Sequence, residues 1–238
     1  MSNSTASPGA ELEFLGRLAN ATSRRTFLQW AGLTIGVAAL GCGDDDDDGT
    51  GPGNNPGVNL GSGDTGVLNY AYALEQLEAA FYIKVVSSPY TGITAEETAI
   101  LRDIRDHEIV HREFLKAALG SAAIAGLSVD FTSINFTSRA SVLGAAKTFE
   151  DLGVSAYNGA GQLLTSDANL LVAGTIVSVE ARHASAIRDL LNPNSMDFAG
   201  DDVVGATGLD VVRTPAQVLA AADTYVVNTI TANQLPTS

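Results

Sequence analysis

Apolar residues recur at intervals of three and four along four long stretches of the chain, the spacing that gathers them on one face of a helix. The first stretch, VLNYAYALEQLEAAFYIKVV from Val67 to Val86, is apolar almost throughout. The second opens at Thr94 and carries the stripe Ile104, Glu108, His111, Leu115. The third, Ser138 to Leu164, has the seam Leu143, Ala146, Glu150, Gly153, Tyr157, Ala160, Leu164, and the fourth has Ala173, Ile176, Glu180, His183, Ile187. Punctuation agrees with the periodicity. Thr94-Ala-Glu-Glu97 is a capping box, and Gly120 after Leu119 is a stop. Ser138, and Ser166 or Asp167, are caps for the third and fourth helices. Asn192-Pro193 ends the fourth, and Thr214-Pro215-Ala-Gln217 opens a short fifth. The pattern predicts an all-α fold, with four long helices over residues 64–192, a long connection from Gly120 to Thr137 anchored by Phe131, Ile134 and Phe136, and a C-terminal extension over 193–238.

Each stripe is broken by a glutamate. Two of the breaks are Glu-x-x-His motifs, Glu108-Ile-Val-His111 and Glu180-Ala-Arg-His183, whose two members share a helix face. Glu150 lies mid-seam in the third helix, and Glu75 and Glu78 lie in the first. Unpaired carboxylates out of water are so costly that they would neutralise instead. Two divalent cations answer the difficulty, because four glutamate charges then sum with them to zero. Helix bundles build such carboxylate-bridged two-metal sites from this set, one glutamate from each of two helices and Glu-x-x-His from the other two. The oxygen and imidazole donors suit two Fe or two Mn ions. The first-helix ligand stays open at this point. If Asn69, Gln76 and Lys84 mark the solvent side, Glu78 lies nearly opposite them and Glu75 further round the cylinder. His107, about 100° round the helix from Glu108, is expected beside the site or at the surface.

The segments LNYAYALEQLEAAFY (68–82), HEIVH (107–111), FEDLGVSAYNGA (149–160) and VSVEARHAS (177–185) resemble the ferritin-like superfamily. Within it they are most similar to the bacterial ferritin-like domain proteins labelled desiccation-related, and more distantly to bacterioferritin and rubrerythrin. The resemblance covers roughly residues 64 to 192. It implies a ferritin-like four-helix bundle with a crossover between helices two and three. In that family the first ligand is followed seven residues on by a tyrosine near the metals. Glu75 and Tyr82 have this spacing, so the resemblance assigns Glu75 as ligand, with Glu78 as the alternate or a neighbour of the ligands. The implied metal set is Glu75, Glu108, His111, Glu150, Glu180 and His183, with Tyr82 and Tyr157 as candidates for a redox role. Gly153, one turn past Glu150, would leave room for an exogenous ligand or serve helix packing.

The N-terminus reads as an address. Ser23-Arg24-Arg25-Thr26-Phe27-Leu28 resembles a twin-arginine export signal, followed by an apolar run from Trp30 to Leu40 too short for a permanent span. Ala39-Leu40-Gly41-Cys42 resembles a lipobox, which would make Cys42 a lipidated N-terminus and the mature protein an envelope protein anchored to a membrane by lipid. The predicted organisation is therefore an export signal over 1–41, an acidic and Gly/Asn/Pro-rich tether over 42–63, the bundle over 64–192 and the extension over 193–238. Cys42 is the sole cysteine, which excludes an internal disulfide and a four-cysteine iron centre. The chain has 13 Lys+Arg against 27 Asp+Glu, a net charge of −14. That balance argues against nucleic acid as a partner.

A metal pair that changes oxidation state together suits two-electron chemistry on O2 or H2O2. The sequence thus points to an exported ferroxidase, peroxidase or catalase-type protein. The alternative is a non-catalytic metal-binding protein of the envelope serving stress protection. Cage storage fits poorly with an anchor, a tether and an extension, and a homodimer through an apolar helix face is the expected assembly.

Overall fold

A computed structural model describes residues 57–237; the predicted export signal, Cys42 and most of the predicted tether lie outside them. Four helices of similar length dominate: α1 (Gly63–Ser87), α2 (Ala95–Leu119), α3 (Arg139–Gly161) and α4 (Asp167–Leu191). Short loops join α1 to α2 and α3 to α4, and each of these pairs packs side by side; α1 also meets α3, and α2 meets α4. The architecture is the all-α ferritin-like bundle that the periodicity and the resemblance predicted. The helix starts follow the capping chemistry. Thr94 forms a complete capping box with Glu97, and Ser138 and Ser166 accept hydrogen bonds from the backbone N–H groups of Ser141 and Asn169. Leu101, Ile104, Glu108, His111, Leu115 and Leu119 of α2 are all buried, one continuous stripe at helical spacing. By length and composition α4 could cross a membrane, yet Glu180, His183 and Arg188 lie on its packed face, as in a core helix.

One expectation about α1 needs correction. The helix begins at Gly63, one residue before the predicted start of the bundle. Asn69 and Gln76, read as its solvent side, are buried at 3% and 9% exposure, and only Lys84 of the three is exposed. The reason is the connection between α2 and α3, which crosses this face. Asn69 Nδ2 donates to the carbonyls of Leu60 and Ala122 at 3.1 and 2.9 Å, Asn69 Oδ1 accepts from Ile124 N, and Gln76 Oε1 accepts from Leu127 N. Irregular backbone packed against a helix must have its donors and acceptors met, and these two amides meet them. The anchors are as expected: Ile134 is buried, while Phe131 and Phe136 pack on Phe81 at ring distances of 5.8 and 6.0 Å.

The two ends of the described chain are built into the body. Residues 57–63, which the sequence assigned to the tether, contain β1 (Val58–Asn59), paired in parallel with β2 (Ile230–Thr231), and the fully buried Leu60. The C-terminal extension contributes α5 (Pro215–Ala222), capped by Thr214 and Gln217 with proline at the first turn. Val218, Ala222, Val226 and Leu235 join the main core. Its strap over residues 211–214 lies directly on α3. Arg213 N donates to the Ser155 carbonyl, Arg213 Nη1 to Ser155 Oγ, and Asn158 Nδ2 to the Val211 carbonyl. A Cβ on Gly159 would lie 1.8 Å from the Arg213 carbonyl oxygen, so only glycine permits this approach. Midway along α3, Asp151 holds buried Arg188 of α4 at 2.8 and 2.7 Å, and Asp202 of the extension holds it at 3.0 and 2.9 Å.

Candidate metal centre

Glu75, Glu108, Glu150 and Glu180 are each 0% exposed, and His111 and His183 are 8% and 4% exposed. All six predicted ligands therefore come together in the bundle core, one glutamate from α1 and α3 and a Glu-x-x-His pair from α2 and α4. They form two groups whose donor atoms lie within 4.8 Å of one another: Glu75, Glu108, His111, Glu180, and Glu108, Glu150, Glu180, His183. Glu108 and Glu180 belong to both groups. Glu75 with His111, and Glu150 with His183, belong to one each.

The halves of the site repeat each other. His111 Nδ1 stands 2.9 Å from Glu180 Oε1 and 3.5 Å from Glu75 Oε2; His183 Nδ1 stands 2.8 Å from Glu108 Oε1 and 3.5 Å from Glu150 Oε2. The tyrosines follow the same rule across the bundle. Tyr157 Oη of α3 donates to Glu75 Oε1 of α1, and Tyr82 Oη of α1 donates to Glu150 Oε1 of α3, both at 2.5 Å. Each tyrosine is seven residues after the glutamate of its own helix and serves the glutamate of the other. Tyr82 and Tyr157, the two aromatic candidates of the sequence, thus hold the two unshared carboxylates in place.

The donor set fits a metal pair on a specific observation. Both oxygens of Glu108 and of Glu180, Oε2 of Glu75 and of Glu150, and Nδ1 of both histidines are buried without a hydrogen-bond partner. The short Nδ1 to carboxylate distances lack the directionality of hydrogen bonds, so proximity here is convergence on common points. Buried polar atoms without partners cost about 1–3 kcal/mol each, and eight of them aimed into one volume call for cations. Electrostatics says the same. Burial and then the neighbouring carboxylates push Glu180 well above the usual carboxylate range, and burial lifts Glu75 to about 7 despite His111. Burial opposes the charge on Glu108, but His111 and His183 hold it below the usual range. Burial likewise opposes a charge on His183, yet the Glu150 and Glu108 carboxylates push it up to about 11, and His111 is raised further by Glu75 and its neighbours. Glu75 and Glu180 are thus biased toward the protonated form, while Glu108 keeps its charge beside the two imidazoles. Tyr82 and Tyr157 are driven far above their ordinary value, first by burial and then by Glu150 and Glu75, so they remain donors.

Three residues around the donors were only partly legible. His107, expected beside the site, is half-buried and places its Nδ1 2.9 Å from His183 Nε2, with the rings nearly parallel. It reaches the back of a candidate ligand and is outside both donor groups. Glu78 is buried together with Glu75, so the open choice between them ends with both in the core, and only Glu75 among the converging donors. The space beside Gly153, read as room for an exogenous ligand or for helix packing, is taken by the carboxylates of Glu78 and Glu180. Tyr157 also lines an apolar cleft between the helices, together with Leu74, Leu115, Ala156, Ala173 and Ile176.

A family model described as a ferritin-like domain matches residues 63–193, more than half of the chain. No curated protein matches it.

Proposed function

Because the chain belongs to the ferritin-like domain family, we propose that its core holds two Fe or two Mn ions and carries out redox chemistry on O2 or H2O2. The observation that carries this reading is the sharing of Glu108 and Glu180 by two four-residue donor groups, the arrangement expected of carboxylates that bridge two ions. Glu75 with His111, and Glu150 with His183, would complete the separate spheres. When bound, such a pair supplies two electrons from one site and binds small oxygen species.

The chain's own residues then have definite tasks. Tyr157 and Tyr82 fix the orientation of Glu75 and Glu150 through their hydroxyl protons. With Nδ1 of His183 as the donor to metal, its Nε2 carries the hydrogen and donates to His107 Nδ1, which sets tautomer and ring plane. The cleft beside Tyr157 suits a small uncharged molecule such as O2, since its lining is apolar. In the cell the protein is proposed to be exported by the twin-arginine signal, anchored by lipid at Cys42 and set off from the membrane by the acidic tether. A homodimer through the exposed Leu170 and Leu171 of α4 is the proposed assembly.

The test is turnover. Protein loaded with Fe(II) or Mn(II) is expected to consume O2 or decompose H2O2 at a rate that falls to the metal-free background in Glu108→Ala. Stoichiometrically loaded protein that turns over neither oxidant would overturn the redox reading and leave metal binding in stress protection of the envelope.

A further inference from the structure

The repeat that relates α1 to α3 and α2 to α4 holds at the donors and fails in the apolar layers to either side of them. Glu75 corresponds to Glu150 and Tyr82 to Tyr157, while Glu108 and His111 correspond to Glu180 and His183. In the same alignment Phe81 corresponds to Ala156, Phe149 to Leu74 and Leu101 to Ala173. The larger three stand on the Tyr82 side. Phe81, Phe149 and Leu101 are 0%, 1% and 1% exposed and belong to the main core, with the two phenyl rings 4.9 Å apart and edge to face. The smaller three stand on the Tyr157 side, where they line the apolar cleft. The cleft is therefore space that the other half of the repeat fills with side chains.

This space adjoins the donors. Leu115, one turn after His111, and Ile176, one turn before Glu180, both line it. Tyr157 belongs to both places: its ring is part of the cleft wall, and its hydroxyl donates to Glu75 Oε1 at 2.5 Å. About 20 Å³ is open to the centre of a molecule the size of water, a little more than the roughly 10–15 Å³ that one such molecule needs. Leu68, Leu164 and Val172 at its margin are half-buried. No oxygen or nitrogen atom faces the open space, and Tyr70 and Tyr157 present only their rings. Water needs two to four polar partners, so apolar cavities stay dry. Hydrogen peroxide has two hydroxyl groups, and burying them unpaired is costly. Dioxygen has no hydrogen to donate. Resting on the two-metal redox reading above, we infer that the cleft is a binding pocket for O2 that serves the metal centre from the Tyr157 side, with Leu74, Ala156 and Ala173 as the residues that select O2 over H2O2.

Xenon, an apolar atom that needs no metal, tests the pocket without turnover. Xenon NMR of the metal-free protein should show saturable binding to wild type and its loss in Ala173→Leu, which gives α4 the residue that α2 carries at the corresponding place. Both proteins are then loaded with Fe(II) to the same stoichiometry, and O2 uptake is followed against O2 concentration. KM for O2 should rise by about fivefold or more in Ala173→Leu with kcat retained, the pattern of lost substrate binding with the chemistry intact. Leu74→Phe fills the cleft from α1 and decides the matter if Ala173→Leu does not fold. Xenon binding absent from wild type or unchanged in the folded variants, or a variant that has lost xenon yet keeps the wild-type KM for O2, would overturn the pocket and leave the metal pair in place. Loaded wild type that decomposes H2O2 and consumes no O2 would overturn the inference alone. Loaded wild type that turns over neither would overturn the redox reading and the inference with it.

Discussion

Glu180→Gln should stabilise the metal-free protein and remove the benefit of metal. Glu180 is fully buried, shares both donor groups, and has its carboxylate pushed well above the usual range by burial and by Glu108, Glu75 and Glu150. At the 4.8 Å limit of each group, two carboxylates repel by about 3.5 kcal/mol at an effective dielectric constant of about 20. Proton uptake relieves most of this, so the net gain on neutralising Glu180 is on the order of 1–2 kcal/mol, typical of a functional site relieved of its strain. Metal reverses the order. Ligand at a hundred times its Kd adds about 2.7 kcal/mol to wild type, and the variant, lacking a carboxylate that both donor groups share, should gain little. The assay is urea unfolding at pH 8 with chelator and again with Mn(II). Wild type should be the less stable protein with chelator and the more stable one with metal. Equal destabilisation of the variant under both conditions would refute the reasoning and make Glu180 an ordinary hydrogen-bonded core residue.

Asn69→Ala should cost about 2–4 kcal/mol in urea unfolding, because it strands the carbonyls of Leu60 and Ala122 and the N–H of Ile124; a loss below about 0.5 kcal/mol, the surface norm, would show that the crossover is not held there. Gly159→Ala places a methyl 1.8 Å from the Arg213 carbonyl and should lift the strap off α3 at a cost of about 3 kcal/mol or more, read as faster proteolysis after residue 200; unchanged proteolysis would contradict the contact. In metal-free protein, Glu75 at about 7 and His183 at about 11 bind protons more tightly folded than unfolded. Their contribution is complete below the unfolded values of about 4.3 and 6.5 and is lost as pH rises toward the folded ones. Tm measured with chelator should therefore fall from pH 5.5 to 8.5, while metal binding tightens with pH as it releases those protons. A metal-free Tm that climbs over that range would contradict the assignment.

The four long helices were legible because burial on one face leaves a repeat of three and four, and the α2 stripe from Leu101 to Leu119 shows that repeat without a break. The donor set was legible for the opposite reason: glutamate and histidine stand out in an apolar stripe. Amides do not. Asn69 and Gln76 read as solvent-facing because a side chain that serves irregular backbone looks, in sequence, like one that serves water. The partners of Glu78 and His107 depend on how helices distant in sequence are rotated about their axes, which periodicity within one helix leaves open. Burial of the C-terminal extension was hidden for a similar reason. Val218, Ala222, Val226 and Leu235 lie in pieces too short to show a period, and their neighbours in the core come from helices far back in the chain.

Elemental analysis of the folded protein, purified without chelator, alongside Glu108→Ala and Glu180→Ala, tests the metal pair most directly. About two Fe or Mn per chain in wild type, and loss in both variants, is the expected result. Wild type without stoichiometric metal, and variants of unchanged stability, would contradict a metal pair in this core.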